Sequence, residues 1–199
     1  MVKEKQDFHS YPPEALEVVD RLEENQFEAW IVGGAVRDQL LGRPVHDVDI
    51  TTNARPEEIK EVFADCRTID VGVAFGTIRV IWADAIFEVT TYRSDGAYED
   101  GRHPTEVTYS DHLSDDLLRR DFTINAMAWN PTAGFVDLYG GREDLKAGII
   151  RAVGQAEDRI HEDALRMLRG IRFATRLNFY LEDSLYQELQ RQADRIGLV

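Results

Sequence analysis

The feature that most constrains the fold is a short apolar run that stops at two consecutive glycines. The run covers residues 27–32, and residues 35–41 after Gly33-Gly34 have the length and pattern of one short helix. Residues 44–52 then alternate polar and apolar side chains, as a strand does. A strand, a tight turn, a helix and a second strand make one βαβ-like unit, which predicts an α+β fold.

The rest of the chain predicts helices and strands around this unit. Residues 12–26 indicate an opening amphipathic helix, and residues 76–82 and 85–92 indicate a β-hairpin. Residues 93–116 are polar and rich in glycine and aspartate, which is typical of a long mobile loop with a functional role. From Glu157 onward the pattern is helical. Shorter elements are predicted at 56–63, 121–130 and 148–153, and a helix break near Asn178.

Composition excludes several classes of protein. The 199 residues are 43% hydrophobic and 10% aromatic, which supports an ordered core and argues against disorder. No stretch approaches the roughly 20 apolar residues of a membrane-spanning helix, and the first residues lack the apolar segment of a secretory signal. Cys66 is the only cysteine, so no internal disulfide can form, and we expect a cytoplasmic protein.

The formal net charge of −14 argues against a general nucleic-acid-binding surface. A protein of this charge that handles a polyanion must hold it through local arginine clusters, through metal ions, or through a part of the protein outside these residues. Clustered arginines and acids are therefore the candidate functional residues.

Asp47 and Asp49 form the strongest local signal for chemistry. Alternate residues of a strand share a face, so both carboxylates are expected to project together while Val48 faces the core. Mg²⁺ prefers carboxylates, phosphates and water as ligands. Glu88 lies in an otherwise apolar hairpin strand, where an inward charge needs a partner or a metal. Three such acids suit a two-metal phosphoryl transfer, with a solvated strand edge as the alternative for the aspartate pair.

Gly33 and Gly34 form a candidate phosphate site. Glycines let the backbone approach a phosphate closely, and the N-terminus of the following helix offers unpaired N–H groups. Arg37 in this helix would add a phosphate contact. The structural alternatives are a plain strand-to-helix turn for the glycines and a salt bridge to Asp38 or Asp47 for Arg37.

A helical pattern that begins at Glu162 brings an acid and an arginine together. Asp163 and Arg166 are three residues apart and are therefore expected to be neighbours on one face of the helix. An apolar stripe is expected on another face, formed by Leu165, Leu168 and Ile171. An ordinary surface ion pair is the alternative for Asp163 and Arg166, and such a pair contributes little to stability.

Four ordered segments resemble the motifs of a known enzyme family. The segment WIVGGAVRDQLLGRPVHDVDITT resembles motif A of bacterial class II tRNA nucleotidyltransferases, the CCA-adding type, and of the related poly(A) polymerases. RRDFTINAMA resembles motif B, FVDLYGGREDL motif C and EDALRMLRGIRFATRL motif D. The resemblance covers residues 27–177. It implies a polymerase β-type head with a short mixed sheet and helices, followed by an α-helical neck.

The resemblance also implies roles for individual arginines and acids. Motif B would place Arg120, Asp121 and Asn125 at the nucleotide sugar and phosphates, although Asp121 would also be a good N-cap for the short helix after it. In motif D, Arg169 and Arg172 would contact phosphate or sugar. A buried structural salt bridge is the competing interpretation for these two arginines.

Asp163 and Arg166 would act as an amino-acid template for the incoming base. Cytosine and adenine both present an amino donor beside a ring-nitrogen acceptor, so a carboxylate accepts from the first and a guanidinium donates to the second. Guanine and uracil present the reverse pattern and would leave desolvated groups unpaired.

Two further segments favour the CCA-adding type over the poly(A) polymerases. The segment GVAFGTIRVIW resembles the former, since the polymerases tend to carry a basic GRRF-like stretch at this place. Six residues match the flexible loop that class II enzymes use to switch from C to A addition: Asp95, Gly96, Tyr98, Asp100, Arg102 and Pro104. A-only addition shares all of these motifs and stays open.

The implied function is Mg²⁺-dependent addition of C, C and A to a tRNA 3′ end from CTP and ATP. The implied domains are a catalytic head over residues 1–156 and the start of a neck over residues 157–199, with the family's body and tail domains absent. Those domains would hold the rest of the tRNA and supply the missing basic surface. The alternatives are an A-only transferase, a poly(A) polymerase, or a truncated nucleotide-binding module without turnover.

Overall fold

The structure is a computed structural model, and it describes residues 11–72, 75–96, 98 and 105–198. Its first unit follows the expected order of strand, turn, helix and strand after an opening helix. The elements are α1 (Pro13–Glu24), β1 (Ala29–Val32), α2 (Gly34–Leu40), β2 (Asp49–Thr52) and α3 (Pro56–Val62). The strand predicted at 44–52 begins only at Asp49. Val32 is the last residue of β1 and pairs with Asp49, so earlier residues have no partner left on that strand.

The predicted hairpin is present and carries a third strand at its edge. The strands are β3 (Arg67–Gly72), β4 (Thr77–Trp82) and β5 (Ala85–Thr91). Ala83 and Asp84 both have positive φ, at 48° and 66°, as a two-residue hairpin turn requires. The sequence pattern did not predict β3, which pairs antiparallel with β4.

The prediction of one long loop at 93–116 is wrong for the part of it that the structure describes. That part contains two short paired strands and the start of a helix: β6 (Arg93–Asp95), β7 (Val107–Tyr109) and α4 (Leu113–Leu118). Asp116 and Leu117 are fully buried. A buried carboxylate needs partners, and the arginines that supply them follow it in the chain.

The next segment returns to the main sheet. It consists of a 3-10 turn at Thr123–Asn125, then β8 (Met127–Asn130), β9 (Gly134–Asp137), α5 (Gly141–Ala147) and β10 (Ile149–Ile150). The seven strands of the sheet lie in the order β3-β4-β5-β2-β1-β8-β9. Among the described strands of this sheet, only β2 and β5 pair in parallel, which confirms the predicted α+β fold with a mixed sheet.

The C-terminal region is helical, as predicted, but it breaks in two places. Its elements are α6 (Ala156–Glu162), α7 (Leu165–Leu177), β11 (Tyr180–Leu181), α8 (Asp183–Arg191) and a 3-10 turn at Ala193–Leu198. The predicted break is present at Asn178, which has a φ of 60°. The prediction of one helix running on from Glu162 is wrong, because Asp163 adopts an extended conformation between α6 and α7.

The predicted apolar stripe on α7 is also wrong. Leu168 and Ile171 are 42% and 49% exposed, whereas Met167 and Gly170 are buried. The reason is close packing of α7 on the head: a Cβ added at Gly170 would lie 3.2 Å from the Phe122 ring. The face that carries this glycine, and not the most apolar face, lies against the head.

One hydrophobic core runs through the sheet and the C-terminal helices. Ile160, Met167 and Leu185 belong to the same cluster as Ile31 and Ile50 of the sheet. Strands β10 and β11 also pair across residue 156. The boundary between head and neck at residue 156 stays a prediction. Within the described residues, no helix is long and apolar enough to cross a membrane.

Candidate nucleotide site

A cavity of about 440 Å³ lies between the head and helix α7. Its head wall consists of Gly33, Gly34, Arg37, Asp49, Arg119, Arg120, Asp121 and Asn125. Its neck wall consists of Asp163, Arg166, Arg169, Arg172, Phe173 and Arg176. The ten residues that the sequence predicted to bind nucleotide all line this one cavity. Arg119, Phe173 and Arg176 line it without having been predicted.

The Gly33 turn brings an arginine of the head wall close to the backbone. Gly33 is the N-cap of α2 with a φ of 70°, and a Cβ at this position would lie 3.1 Å from Arg120 Nη1. Glycine is thus required both for the backbone conformation and for the approach of the guanidinium. The predicted tight turn is present and borders the cavity.

Arg37 is buried and held by two neighbours. Its Nε and Nη2 donate to Oδ1 and Oδ2 of Asp38 at 2.9 and 3.0 Å, and its Nη1 donates to Asn125 Oδ1 at 2.6 Å. The salt bridge to Asp38 was one of the predicted structural alternatives. Because Arg37 also lines the cavity, the salt bridge positions its guanidinium beside any ligand there.

A buried carboxylate, Asp116, anchors two arginines of the head wall. Its Oδ1 accepts from Arg119 Nη2 at 2.5 Å, and its Oδ2 accepts from Arg120 Nη2 at 2.8 Å. Burial alone would raise the pKa of Asp116, but the charges and hydrogen bonds of Arg120 and Arg119 outweigh it and hold that pKa below its ordinary value. Asp116 was not among the predicted site residues, although its spacing of three and four residues from two arginines was a signal.

Asp121 joins the two walls of the cavity. Its Oδ1 accepts from Asn125 Nδ2 at 3.1 Å, and its Oδ2 accepts from Arg169 Nε at 2.7 Å. The N-cap of the following 3-10 turn is Phe122, so the predicted capping role of Asp121 is wrong. Arg169 forms the predicted structural salt bridge, but its side chain is 45% exposed and not buried.

Arg166 is buried and oriented from the head and from α6. Its Nη1 donates to Glu162 Oε2 at 2.6 Å and to the Arg159 carbonyl at 3.1 Å, and its Nη2 donates to the Arg119 carbonyl at 3.0 Å. Asp163 precedes the helix, and its Oδ1 accepts from the Leu165 amide at 2.8 Å. Asp163 and Arg166 line the same cavity, but the ion-pair partner of Arg166 is Glu162.

The Phe173 ring lies between two arginines of the cavity. The guanidinium of Arg37 is 5.1 Å from the ring centroid and that of Arg169 is 5.4 Å. Phe122 meets the same ring edge to face at 6.0 Å. An aromatic ring attracts a cation over its face, so Phe173 helps to fix one arginine from each wall.

Of the three predicted catalytic acids, only Asp49 lines the cavity. Asp47 and Asp49 are exposed while Val48 is buried, which agrees with a shared face for the two carboxylates. Asp49 is exposed toward the cavity, and surrounding protein displaces part of its water. This desolvation raises the pKa of Asp49, the Arg120 guanidinium opposes the rise, and the charges of Glu88 and Asp47 raise the pKa further. The negative charges of Asp47 and Glu88 thus act on the titration of Asp49.

Glu88 pairs in register with Asp49 on the neighbouring strand but does not point inward as predicted. Its side chain is 42% exposed, and its Oε1 accepts from Arg79 Nη2 at 2.7 Å. In the part of the chain that the structure describes, no three His, Cys, Asp or Glu side chains form a metal-binding group. Two adjacent carboxylates, Asp47 and Asp49, still match the oxygen ligands that Mg²⁺ prefers.

The predicted flexible loop is described only at its start. The Tyr98 hydroxyl donates to Asp95 Oδ2 at 2.7 Å, and both residues line a smaller cavity of about 120 Å³ whose wall includes Arg119. Gly96 lies against the Glu106 backbone. Asp100, Arg102 and Pro104 lie outside the described residues.

Residues 29–151 match the family described as the poly A polymerase head domain. The chain belongs to this family. It is 51% identical over 176 residues to a CCA-adding enzyme of Lactobacillus delbrueckii subsp. bulgaricus, a match that covers 88% of this chain and 44% of the relative. It is 52% identical over 170 residues to a CCA-adding enzyme of Enterococcus faecalis, covering 85% of this chain and 41% of the relative. The predicted family is thereby confirmed.

Solved structures of CCA-adding enzymes share the fold. The Bacillus stearothermophilus enzyme in complex with CTP superposes with a TM-score of 0.86 at 43% identity, over 96% of this chain and 46% of that one. The Thermotoga maritima enzyme complexed with tRNA superposes with a TM-score of 0.74 at 28% identity, over 91% of this chain and 41% of that one. The chain thus spans less than half the length of the relatives it matches.

Proposed function

We propose that this chain is the catalytic head and the first part of the neck of a cytoplasmic nucleotidyltransferase that adds C, C and A to tRNA 3′ ends. The observation that carries the proposal is the single cavity bordered by the Gly33 turn, by Asp49, and by Asp163 with Arg166. A nucleotide-binding site for transfer needs groups that bind the phosphates, a catalytic acid and residues that recognise the base, all within the length of one nucleotide. The remaining length of such an enzyme would hold the body of the tRNA.

Asp163 and Arg166 would select the base. Three hydrogen bonds occupy the Arg166 guanidinium, and since a guanidinium has five N–H donors, it keeps donors for a ring nitrogen. Asp163 Oδ1 accepts from the backbone, and Oδ2 remains to accept from an amino group. Cytosine and adenine fit this pair, and a base that presents a carbonyl to the carboxylate is rejected.

The arginines and acids of the cavity would hold the triphosphate. Arg120 and Arg169 are fixed by Asp116 and Asp121, so their remaining N–H groups are oriented before a ligand arrives. Asp47 and Asp49 would hold the divalent cations that enzymes of this kind generally need. Those ions supply charge neutralisation at the phosphates and a more acidic attacking hydroxyl.

The reaction itself would be an in-line displacement. The RNA 3′ oxygen forms a bond to the α-phosphorus, the bond from that phosphorus to the bridging oxygen breaks, and pyrophosphate leaves. The proton of the attacking hydroxyl passes to Asp49 or to solvent. The carboxylate of Asp49 suits this position because it is the predicted catalytic acid that borders the cavity.

The test is a gel assay with a tRNA that lacks its CCA end, Mg²⁺, and the four labelled nucleoside triphosphates given singly and together. The variant that carries both Asp47→Ala and Asp49→Ala removes the proposed metal ligands. Arg67→Gln is the matched control, because Arg67 is an exposed residue of the distant edge strand β3. We expect C and then A addition by the wild type and the control, and none by the double variant.

Other outcomes separate the alternatives. Repeated A addition without use of CTP would identify a poly(A) polymerase, and A addition only to a tRNA that ends in CC would identify an A-only enzyme. Binding of CTP and ATP in preference to GTP and UTP without any transfer would identify a nucleotide-binding module. Equal binding of all four nucleotides would refute base selection by Asp163 and Arg166.

A further inference from the structure

Two arginines of the neck wall differ from the other arginines of the cavity. Arg37, Arg119, Arg120, Arg166 and Arg169 each form an ion pair with a carboxylate. Arg172 and Arg176 line the same cavity, but neither side chain has a hydrogen bond or ion pair with any residue of the described ranges. In a chain whose formal net charge is −14, two such cations in one cavity stand out.

The position of these arginines on α7 adds a second observation. They are four residues apart on the helix and both are exposed. Like charges at this spacing repel and destabilise a helix unless an anion lies between them. Arg176 lies in the last turn of α7, where the helix C-terminus favours a positive charge. No carboxylate in the described part of the chain pairs with either arginine, so an anionic ligand is the partner that the arrangement lacks.

The distance along α7 indicates which part of a ligand would reach them. Arg166 lies in the first turn of the helix and Arg176 lies ten residues later, which corresponds to about 15 Å at the rise of an α-helix. An extended nucleoside triphosphate with its base at Asp163 and Arg166 spans a comparable length. The triphosphate of this ligand carries its negative charge and would lie toward the end of the cavity that Arg172 and Arg176 line.

We propose that Arg176, together with Arg172, binds the terminal phosphate of the nucleoside triphosphate. The inference rests on the proposed function for the position of the base, and it assigns to Arg176 a role that the motif comparison did not give. Arg172 was already a candidate for phosphate or sugar contact. A guanidinium suits a phosphate because it donates two parallel hydrogen bonds to the oxygens.

The experiment compares the affinities of CTP, CMP and inorganic tripolyphosphate for the wild type and Arg176→Gln by isothermal titration calorimetry. We expect Arg176→Gln to weaken CTP and tripolyphosphate binding by about fivefold to tenfold and to leave CMP unchanged, because CMP lacks the terminal phosphate. Arg67→Gln again serves as the control for loss of one exposed positive charge. Since Arg176 contacts no carboxylate in the described structure, the variant should melt at the wild-type temperature.

Two results would overturn the inference. One is unchanged CTP affinity in Arg176→Gln. If a short oligoribonucleotide then binds more weakly to this variant, Arg176 would be assigned to the RNA backbone. The other is an equal loss for CTP and CMP, which would place Arg176 away from the terminal phosphate. Failure of the proposed function is recognised separately, since it would show in the wild type as equal affinity for CTP and UTP.

Discussion

Two pairs of arginines line the same cavity and do opposite things. Arg119 and Arg120 share one fully buried carboxylate, Asp116, and are held in place by it. Arg172 and Arg176 share no carboxylate in the described structure and remain exposed. The first pair therefore contributes to the stability of the empty protein, and the second pair is available to a ligand. Removing a charge from each pair should separate these two effects.

The largest loss of stability is expected when Asp116, the carboxylate that Arg119 and Arg120 share, is replaced. Asp116→Asn leaves Arg119 and Arg120 without their negative partner in a buried place, and we expect a loss of about 3 kcal/mol in the free energy of unfolding. Urea denaturation measures this loss. Asp158→Asn is the control, because Asp158 is an exposed acid on α6 and should change stability by less than about 0.5 kcal/mol. Equal losses in the two variants would contradict the anchoring role.

Acid should weaken the same contact of Asp116 with Arg119 and Arg120. The resulting loss in the free energy of unfolding should be smaller than the loss in Asp116→Asn. The folded state holds the pKa of Asp116 below its ordinary value of 3.8, so in acid the unfolded chain takes up the proton first. The stabilisation is complete above that ordinary value and is lost as pH falls through the folded-state pKa. We expect the unfolding free energy to decline more gently with acid in Asp116→Asn than in the wild type. Parallel declines would show that other acids dominate.

The next largest loss of stability is expected when Gly33, in the turn beside Arg120, is replaced. Gly33→Ala forces a side chain into a positive φ and places its Cβ 3.1 Å from Arg120 Nη1, which should cost about 2 kcal/mol and weaken CTP binding. Gly34→Ala is the matched control. Its φ is not positive and its Cβ would meet Arg37 at an ordinary 3.5 Å. Thermal melting of both variants measures the difference in stability, and a similar loss of stability in both would argue against a special conformation at Gly33. CTP titration of Gly33→Ala measures the loss of binding.

The smallest loss of stability is expected when Phe173, whose ring lies between the two walls of the cavity, is replaced. Phe173→Leu removes both arginine contacts of the ring, and we expect a loss of about 1 kcal/mol in stability and roughly threefold weaker CTP binding. Phe173→Tyr keeps an aromatic face and should restore both quantities. If leucine and tyrosine behave alike, the ring acts only by filling space.

Local sequence patterns predicted the first unit of the fold well because its elements are specified by their own residues. The apolar run, the Gly33-Gly34 turn and the short helix all follow from local periodicity. The edge strand β3 and the paired strands β6 and β7 were missed because they are short or polar, and they are recognised by pairing with a neighbouring strand and not by a pattern of their own. The break at Asp163 was missed for a similar reason, since α7 is oriented by the packing of Gly170 on Phe122.

The candidate site could be predicted more completely than the fold. Motif resemblance, together with local residue patterns, predicted ten residues that line one cavity. It could not find Asp116, whose importance comes from burial, nor Phe173, whose role comes from the two arginines around it. Arg176 follows Arg172 by one helical turn, and this spacing was the signal that could have included it.

The core that continues from the sheet into α7 limits how the nucleotide preference of such a protein can change during evolution. The proposed base-selecting residues and the proposed catalytic acid lie on parts of the chain that share this core, so recombination at residue 156 is not expected to exchange one nucleotide preference for another. It would instead leave both halves with uncovered apolar surface. We therefore expect changes of nucleotide choice to arise by substitutions at or around Asp163 and Arg166 while the core stays intact. Because Arg166 is buried, a substitution there would affect folding as well.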